Sequence, residues 1–575
     1  MNSIDFVVLF GTMLSIVGYG IYKTRGSKGL EGYLLGDHKM GWGTIGLSVM
    51  ATQASAITFL STPGQAYEDG MGFVQFYFGM PFAMIILSAY VVPLYHKMKV
   101  FTAYEFLENR FDLKSRALTA FLFLISRGLA AGITIYAPAI IITAIMGWNI
   151  NVTIFIVGLL VIAYTVSGGT KAVAVTQKHQ MAVILAGMLV AFGILVWKLP
   201  GSVGFDEALL IARKMGKMNI VDLKFDPESR YNIWSGLTAA LFLFLAYFGT
   251  DQSQVQRYLS GKSVREIRLG LLFNGFLKIP MQFFILMVGV LMFVFYQFYM
   301  PPVYFNQSEV IKMQGSSYET EFKALEGRHS EIFNLKKKKI DALLIAHNEG
   351  NEGKVDNLGN QVDSLAGIQA GIEKKAVEVI DKVSPGVEHK DSDYVFITFV
   401  LHHLPHGIIG LLMAVIFAAA MSSTSSELNA LGSTTVIDFY KRIFNKTESD
   451  AHYLTMTRWF TVSWGILALL FAVFASQLDN LIQAVNILGS VFYGPILGIF
   501  IVAVAFKYVK SNAVFIATFL SEVVIIWLYF LTRSGDLKLG YLWFNPIGAI
   551  LVVVFSLILQ LIIGRPNPSR QEGTN

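Results

Sequence analysis

The chain has 575 residues, 54% of them hydrophobic and only 15% charged, with a net charge of +6 and no cysteine. Soluble domains carry about 25% charged residues, so an ordinary soluble globule is excluded, and the lack of cysteine excludes disulfides, thiol catalysis and Cys-ligated metal. A small cationic excess in so apolar a chain fits the cytoplasmic loops of a membrane protein and calls for no nucleic acid.

The apolar residues fall in stretches long enough to cross a ~30 Å hydrocarbon core at 1.5 Å per residue. Thirteen spans are expected, near 5–22, 43–62, 72–95, 118–146, 151–167, 178–198, 233–252, 268–299, 406–436, 457–476, 480–506, 513–532 and 545–564. The first lacks a preceding basic stretch and a following small-residue cleavage site, so it reads as a retained span and not a signal peptide. Basic residues gather after the first span (Lys23, Arg25, Lys28, Lys39), the third (Lys97, Lys99, Arg110, Lys114, Arg116), the seventh (Arg257, Lys262, Arg265, Arg268) and the ninth (Lys441, Arg442, Lys446). The alternate loops 63–71, 147–150 and 477–479 carry no Lys or Arg. The positive-inside rule then places the N-terminus outside and the C-terminus in the cytoplasm of a plasma (inner) membrane.

The second span, "GLSVMATQASAITFLSTPG", is interrupted at mid-membrane by Thr52, Gln53, Ser55 and Thr58. The seventh, "FLFLAYFGTDQSQVQRYL", is interrupted at Gly249, Thr250 and Asp251. Broken helices free backbone carbonyls for a cation and present half-helix ends to a substrate. Close packing of small residues explains the first break equally well alone, and a helix end at the surface explains the second. As a pair five spans apart, they favour two five-helix inverted repeats, roughly 43–198 and 233–506. Between the eighth and ninth spans lies a polar insertion, 303–392, read as a mobile and partly helical extracytoplasmic segment; 324–347 has the pattern of an amphipathic helix.

The ninth span contains "AAAMSSTSSELNAL", with five consecutive hydroxyls, Ser422 to Ser426, and then Glu427. On a helix Ser422, Ser425, Ser426 and Asn429 share one face. A single serine bonds back to the carbonyl one turn earlier; five in a row are poorly explained that way. Hard, weakly charged oxygens suit a monovalent cation that must later be released.

These motifs resemble the sodium:solute symporter family, which includes the sodium/glucose cotransporters. The resemblance rests on "YEFLENRF" at 104–111, "YAPAI" at 136–140, "SGGTKAV" at 167–173, "QVQRYLSGKS" at 254–263 and "AAAMSSTSSELNALGSTTVIDFY" at 418–440, in order and over nearly all the chain outside the insertion. It implies an all-α polytopic membrane protein with a LeuT-type 5+5 inverted-repeat core and sodium-driven uptake by alternating access. The organisation it implies is an extra N-terminal helix and loop (1–42), the first part of the core (43–302), the insertion (303–392), the rest of the core (393–511) and C-terminal helices with a short tail (512–575).

Carried over by motif, the sodium ligands would be the carbonyls of Ala51, Ala54 and Ala419 and the hydroxyls of Ser422 and Ser423. Relatives that bind another sodium use the next serine pair and an Asp; here Ser425 and Ser426 stand with Gln177, a neutral amide. Substrate contacts would come from Gln53, Ser55, Thr58, Tyr77, Phe244, Tyr247, Lys278 and Asn486. "SAITFLSTPGQAY" and "YEFLENRF" look closer to the monocarboxylate, vitamin and iodide branch than to the sugar branch, which favours a small organic solute, sugar or organic anion. Na+ is the coupling ion the resemblance implies, with no organic cofactor. The competing readings are a transporter-derived sensor, against which the eleven-residue tail after Gly564 argues, and a membrane enzyme. The only metal-like group for the latter is His402, His403 and His406 at the outer end of the ninth span, with no intramembrane acid beside it.

Overall fold

The computed structural model describes residues 1–24, 29–201, 203–384, 391–475 and 481–563. Arg25, Lys28, the loop 477–479 and the tail from Gly564 lie outside the described residues, as do the side chains of Lys23 and of 167–172 within "SGGTKAV". The described chain is helical almost throughout, as a bilayer demands: every backbone polar group must be satisfied within its own segment. Nine helices are long and apolar enough to cross a membrane among the described residues, and three shorter apolar ones accompany them.

The principal helices, in chain order, are α1 (Ser3–Thr24), α2 (Trp42–Gln53), α3 (Ala56–Asp69), α4 (Leu113–Met146), α5 (Ile150–Lys198), α6 (Ala240–Gly249), α7 (Gln252–Leu259) and α8 (Val264–Phe298). They continue with α9 (Glu319–Asn348), α10 (Glu352–Val383), α11 (Ser392–His403), α12 (Ile408–Thr434), α13 (Asp450–Phe474), α14 (Leu481–Ala505), α15 (Ser511–Ser534) and α16 (Phe544–Ile563).

Both expected breaks are present. α2 stops at Gln53, and Ala54 and Ser55 leave helical geometry before α3 begins. α6 stops at Gly249, and Asp251 caps α7, its side chain accepting from the Ser253 amide at 2.9 Å. Gly64 lets α3 lie directly on α11: a Cβ there would sit 1.9 Å from the Ser392 carbonyl oxygen.

Four spans differ from expectation. The expected spans 151–167 and 178–198 are joined in one helical run, α5, of 49 residues. At 1.5 Å per residue a straight run would measure ~74 Å, more than twice the hydrocarbon core. Its halves in fact run oppositely. Gly158 meets Leu469 and Ile162 meets Gly465 on α13, whereas Gly187 meets Leu412 and Val415, and Gln177 meets Ser422, on α12. Because α12 and α13 form a hairpin in which Gly432 meets Thr457 and Thr461, α5 reverses between Ile162 and Gln177. The third span is not one helix but a 3₁₀ stretch (Gly70–Tyr77), two short α-helices and a π-turn (Leu87–Val91). The ninth begins at Ile408, preceded by the separate helix α11.

The insertion is helical over far more of its length than its mixed patterning suggests. α9 and α10, 30 and 32 residues long, form a hairpin. One end is sealed by Phe322 with Ala376, Val379 and Ile380, the other by Leu343 and Ala346 with Val355, Leu358 and Leu210. Lys337 donates to the Phe298 carbonyl at 3.0 Å, tying the hairpin to the end of α8.

Candidate functional site

The polar run on α12 faces the α2 break. Thr52 Oγ1 lies 3.3 Å from Ser426 Oγ. Gln177 of α5 enters between them: its Oε1 accepts from Ser48 at 2.5 Å, and its Nε2 donates to Thr52 Oγ1 (3.1 Å), the Ser422 carbonyl (3.3 Å) and Ser426 Oγ (3.0 Å). A carbonyl has no proton to give, so the atom facing Ser422 is the amide NH₂. Ser425 Oγ has no hydrogen-bond partner. Of the three residues expected at a second sodium site, Gln177 and Ser426 meet directly, and the Gln177 NH₂ occupies the point where the oxygens of Thr52, Ser422 and Ser426 converge.

Ala51, Ala54, Ala419, Ser422 and Ser423 are all buried. The end of α2 leaves its last carbonyls beyond the reach of helical N–H donors. Ser423 and Ser426 do bond back, Ser423 to the carbonyls of Ala419 (3.0 Å) and Ala420 (3.2 Å) and Ser426 to that of Ser422 (3.0 Å). Ser422 Oγ is buried without a partner. An orphaned hydroxyl and freed carbonyls are hard, neutral oxygen donors, and they fit Na+.

Beside this lies a cavity of about 70 Å³ between the two breaks. Gln53, Ser55, Thr58, Tyr77, Phe244, Tyr247 and Asn486 all line it, seven of the eight expected substrate contacts. Lys278 does not. It sits behind Tyr77, its Nζ 5.6 Å from the ring centre and without a hydrogen-bond partner. Phe76, Tyr77 and Phe244 make an aromatic wall, with Phe76 4.9 Å from Tyr77 and 5.1 Å from Phe244. Gln53 Oε1 and Asn486 Nδ2 are buried and unpartnered.

The floor of the cavity is a charged group that sequence reasoning missed. Arg127 of α4 donates to Asp251 and to Tyr493, and its other nitrogen reaches Glu427 Oε1 at 3.0 Å. Its guanidinium lies 5.4 Å from the Tyr247 ring centre. Arg127 is 3% exposed, Asp251 1% and Glu427 5%, so the triad is desolvated. A lone arginine inside an apolar span was the available signal, since intramembrane charges are paired and functional by default.

The histidines do not converge. His402 bonds the Thr398 carbonyl at 2.9 Å, His403 stacks on Phe399, and His406 meets Asp5 of α1 at 2.9 Å. An acid therefore does accompany the group, against expectation, but it binds one histidine and ties α1 to the corner before α12.

The sequence profile of the sodium:solute symporter family matches residues 33–317 and 367–520, more than half of the chain. The chain is a sodium:solute symporter. The symporter is 24% identical to mouse (Mus musculus) sodium-coupled monocarboxylate transporter 2 over 88% of its own length and 69% of that protein. It is 25% identical to the sodium/sialic acid symporter SiaT of Proteus mirabilis (strain HI4320), over 96% and 94%. The human (Homo sapiens) sodium/iodide cotransporter is 28% identical over 51% of this chain and 45% of its own. A solved Na+-coupled sialic acid symporter, substrate-bound and outward-open, superposes with a TM-score of 0.73 at 22% identity, covering 98% of both chains. The fold is therefore the LeuT-type one, and the protein is a multi-pass sodium-coupled transporter, not an enzyme. The internal gap between the two matched segments, 318–366, covers α9 and the first half of α10.

Proposed function

We propose that this symporter imports a small organic anion with one sodium ion by alternating access, from a cavity framed by the breaks of α2–α3 and α6–α7. The observation that carries the reading is the convergence of seven expected contacts from five segments on one buried cavity, beside the serine run of α12. Na+ is held by the carbonyls of Ala51, Ala54 and Ala419 and by Ser422 and Ser423, joining α2 to α12 and steadying the break. Substrate then lies against Gln53, Ser55, Thr58 and Asn486, over the Phe76–Tyr77–Phe244 wall. The insertion faces outward and the basic loops face the cytoplasm, in keeping with the positive-inside rule.

The charge balance favours an anion. Asp251, Glu427 and Arg127 together carry one negative charge, which one Na+ answers, and Lys278, behind the Tyr77 ring without a hydrogen-bond partner, is a base with no acid paired to it. That leaves room for one monoanion. Relatives named for monocarboxylates, sialic acid, iodide and vitamins are in line with this. Sodium drives the cycle only through different affinities for the outward and inward forms.

The test is uptake into proteoliposomes with and without an inward sodium gradient, after a thermal-shift screen of sugars, carboxylates and amino acids in Na+ and in K+. Ser423→Ala is expected to raise the sodium concentration for half-maximal uptake by roughly tenfold, the loss of one oxygen ligand worth about 1.4 kcal/mol. Unchanged sodium dependence in that variant would sink the ligand assignment.

A further inference from the structure

We infer that Glu427 is the counter-charge of the sodium site, a carboxylate that attracts the ion without ligating it and is held in place by Arg127. The inference rests on the sodium-site reading above. Every ligand assigned there is neutral: three carbonyls and two hydroxyls. A cation taken from water into a desolvated neutral cage suffers a large solvation loss unless an opposite charge lies nearby. Glu427 follows Ser423 by one helical turn on α12, so the two side chains leave the same face with Cβ atoms ~6 Å apart.

The geometry also shows where the excess negative charge sits. Asp251 is well satisfied: it takes Arg127 and Tyr493 on one oxygen, and the Ser253 amide (2.9 Å) and hydroxyl (2.6 Å) on the other. Glu427 is half satisfied. Its Oε1 accepts from Arg127, while its Oε2 is buried without a closed hydrogen bond; the Thr134 hydroxyl lies near the carboxylate but donates to the Ala130 carbonyl at 3.0 Å. One arginine faces two carboxylates, and the unanswered charge falls on the oxygen of the residue nearer the sodium ligands. Arg127 meanwhile ties Glu427 of α12 to Asp251 at the α6–α7 break. The sodium site and the second broken helix therefore share one electrostatic network.

The test needs no substrate. The thermal midpoint of the purified full-length chain is titrated with NaCl at constant ionic strength (choline as replacement), and 22Na+ binding is measured on the same samples. In Glu427→Gln the half-saturating sodium concentration should rise by roughly tenfold to a hundredfold, as expected for one charge removed at ~6 Å in a medium of effective dielectric about 20. Glu427→Asp, which keeps the charge, should stay within severalfold of the parent. Arg127→Gln, which leaves two unopposed carboxylates, should bind sodium more tightly. A structural latch would instead make Glu427→Gln and Arg127→Gln weaken sodium binding alike, and that result overturns the proposal. Unchanged sodium affinity in Glu427→Gln alongside weakened affinity in Ser423→Ala also overturns it while leaving the sodium site standing. Unchanged affinity in Ser423→Ala removes the site itself.

Discussion

At Gln177 one amide stands among the oxygens of the α2 break and the serine run. Thr52 Oγ1, the Ser422 carbonyl and Ser426 Oγ all turn lone pairs toward its Nε2, at 3.0 to 3.3 Å. The amide satisfies three oxygens with a group that is polar but uncharged, which a desolvated site tolerates far better than a vacant ring of acceptors. Gln177→Asp would replace the donor with a fourth acceptor. It should therefore lower the thermal midpoint in K+ buffer by about one to two degrees, the mark of ~2 kcal/mol or less in a chain this size, and Na+ should restore it; a midpoint equally low in both salts would show that no cation takes the vacated place. The identities of these groups were legible in the sequence, because hydroxyls and amides inside apolar spans stand out. The direction in which Gln177 points was not: it depends on α5 doubling back to meet α12, a long-range contact that local patterning does not carry. Arg127 went unread for a related reason. The one basic residue in the apolar part of a 34-residue helix, beyond Lys114 and Arg116 in its first turn, gains its meaning only from Asp251 and Glu427, more than a hundred residues away.

Among the elements, α9 and α10 show best how patterning can understate structure. The amphipathic pattern over 324–347 is interrupted by the Lys336–Lys339 run, the Gly-rich stretch at 348–360 hides the start of α10, and small apolar clusters seal each end. Between those ends the hairpin buries polar groups instead: Lys336 donates to Gln369, whose amide also meets His329 at 3.0 Å and Glu373 at 2.9 Å. Burial pushes Lys336 down to about 8, against 10.5 ordinarily. Below pH 8 the folded chain must hold the buried ammonium. Between pH 8 and about 10.5 the unfolded chain binds a proton that the folded chain has released, so stability rises with pH across that window. Lys336→Met should flatten that part of the pH profile, and calorimetric unfolding of parent and variant side by side measures the difference. Parallel profiles would mean that water reaches Lys336. The broken helices, by contrast, were open to reading, since Thr52–Gln53 and Gly249–Asp251 interrupt otherwise continuous apolar runs. The π-turns at Leu87–Val91 and Ser235–Ala239 left no such mark, because a π-turn changes hydrogen-bond spacing without changing composition.

For the whole molecule, the contacts sort the loops into two opposite ends. At one, Arg116 pairs with Asp438 and Glu108, and Arg110 caps the carbonyls that close α14 at Ala503, Phe506 and Lys507. At the other, Lys217 reaches the Glu68 carbonyl in the last turn of α3, and the hairpin rests on the end of α8. The first end holds the loops rich in Lys and Arg, and the second holds the loop 63–71, which has none. The positive-inside rule predicts that the first end faces the cytoplasm, and labelling tests it. The chain has no cysteine of its own, so single cysteines report without background. Leu335→Cys, on an exposed face of α9, should react in intact cells with a maleimide that cannot cross membranes. Phe444→Cys, 76% exposed at the basic end, should react only after the membrane is opened. The reverse pattern would turn the protein over and place the hairpin in the cytoplasm, while Na+ and solute would still move together down the sodium gradient.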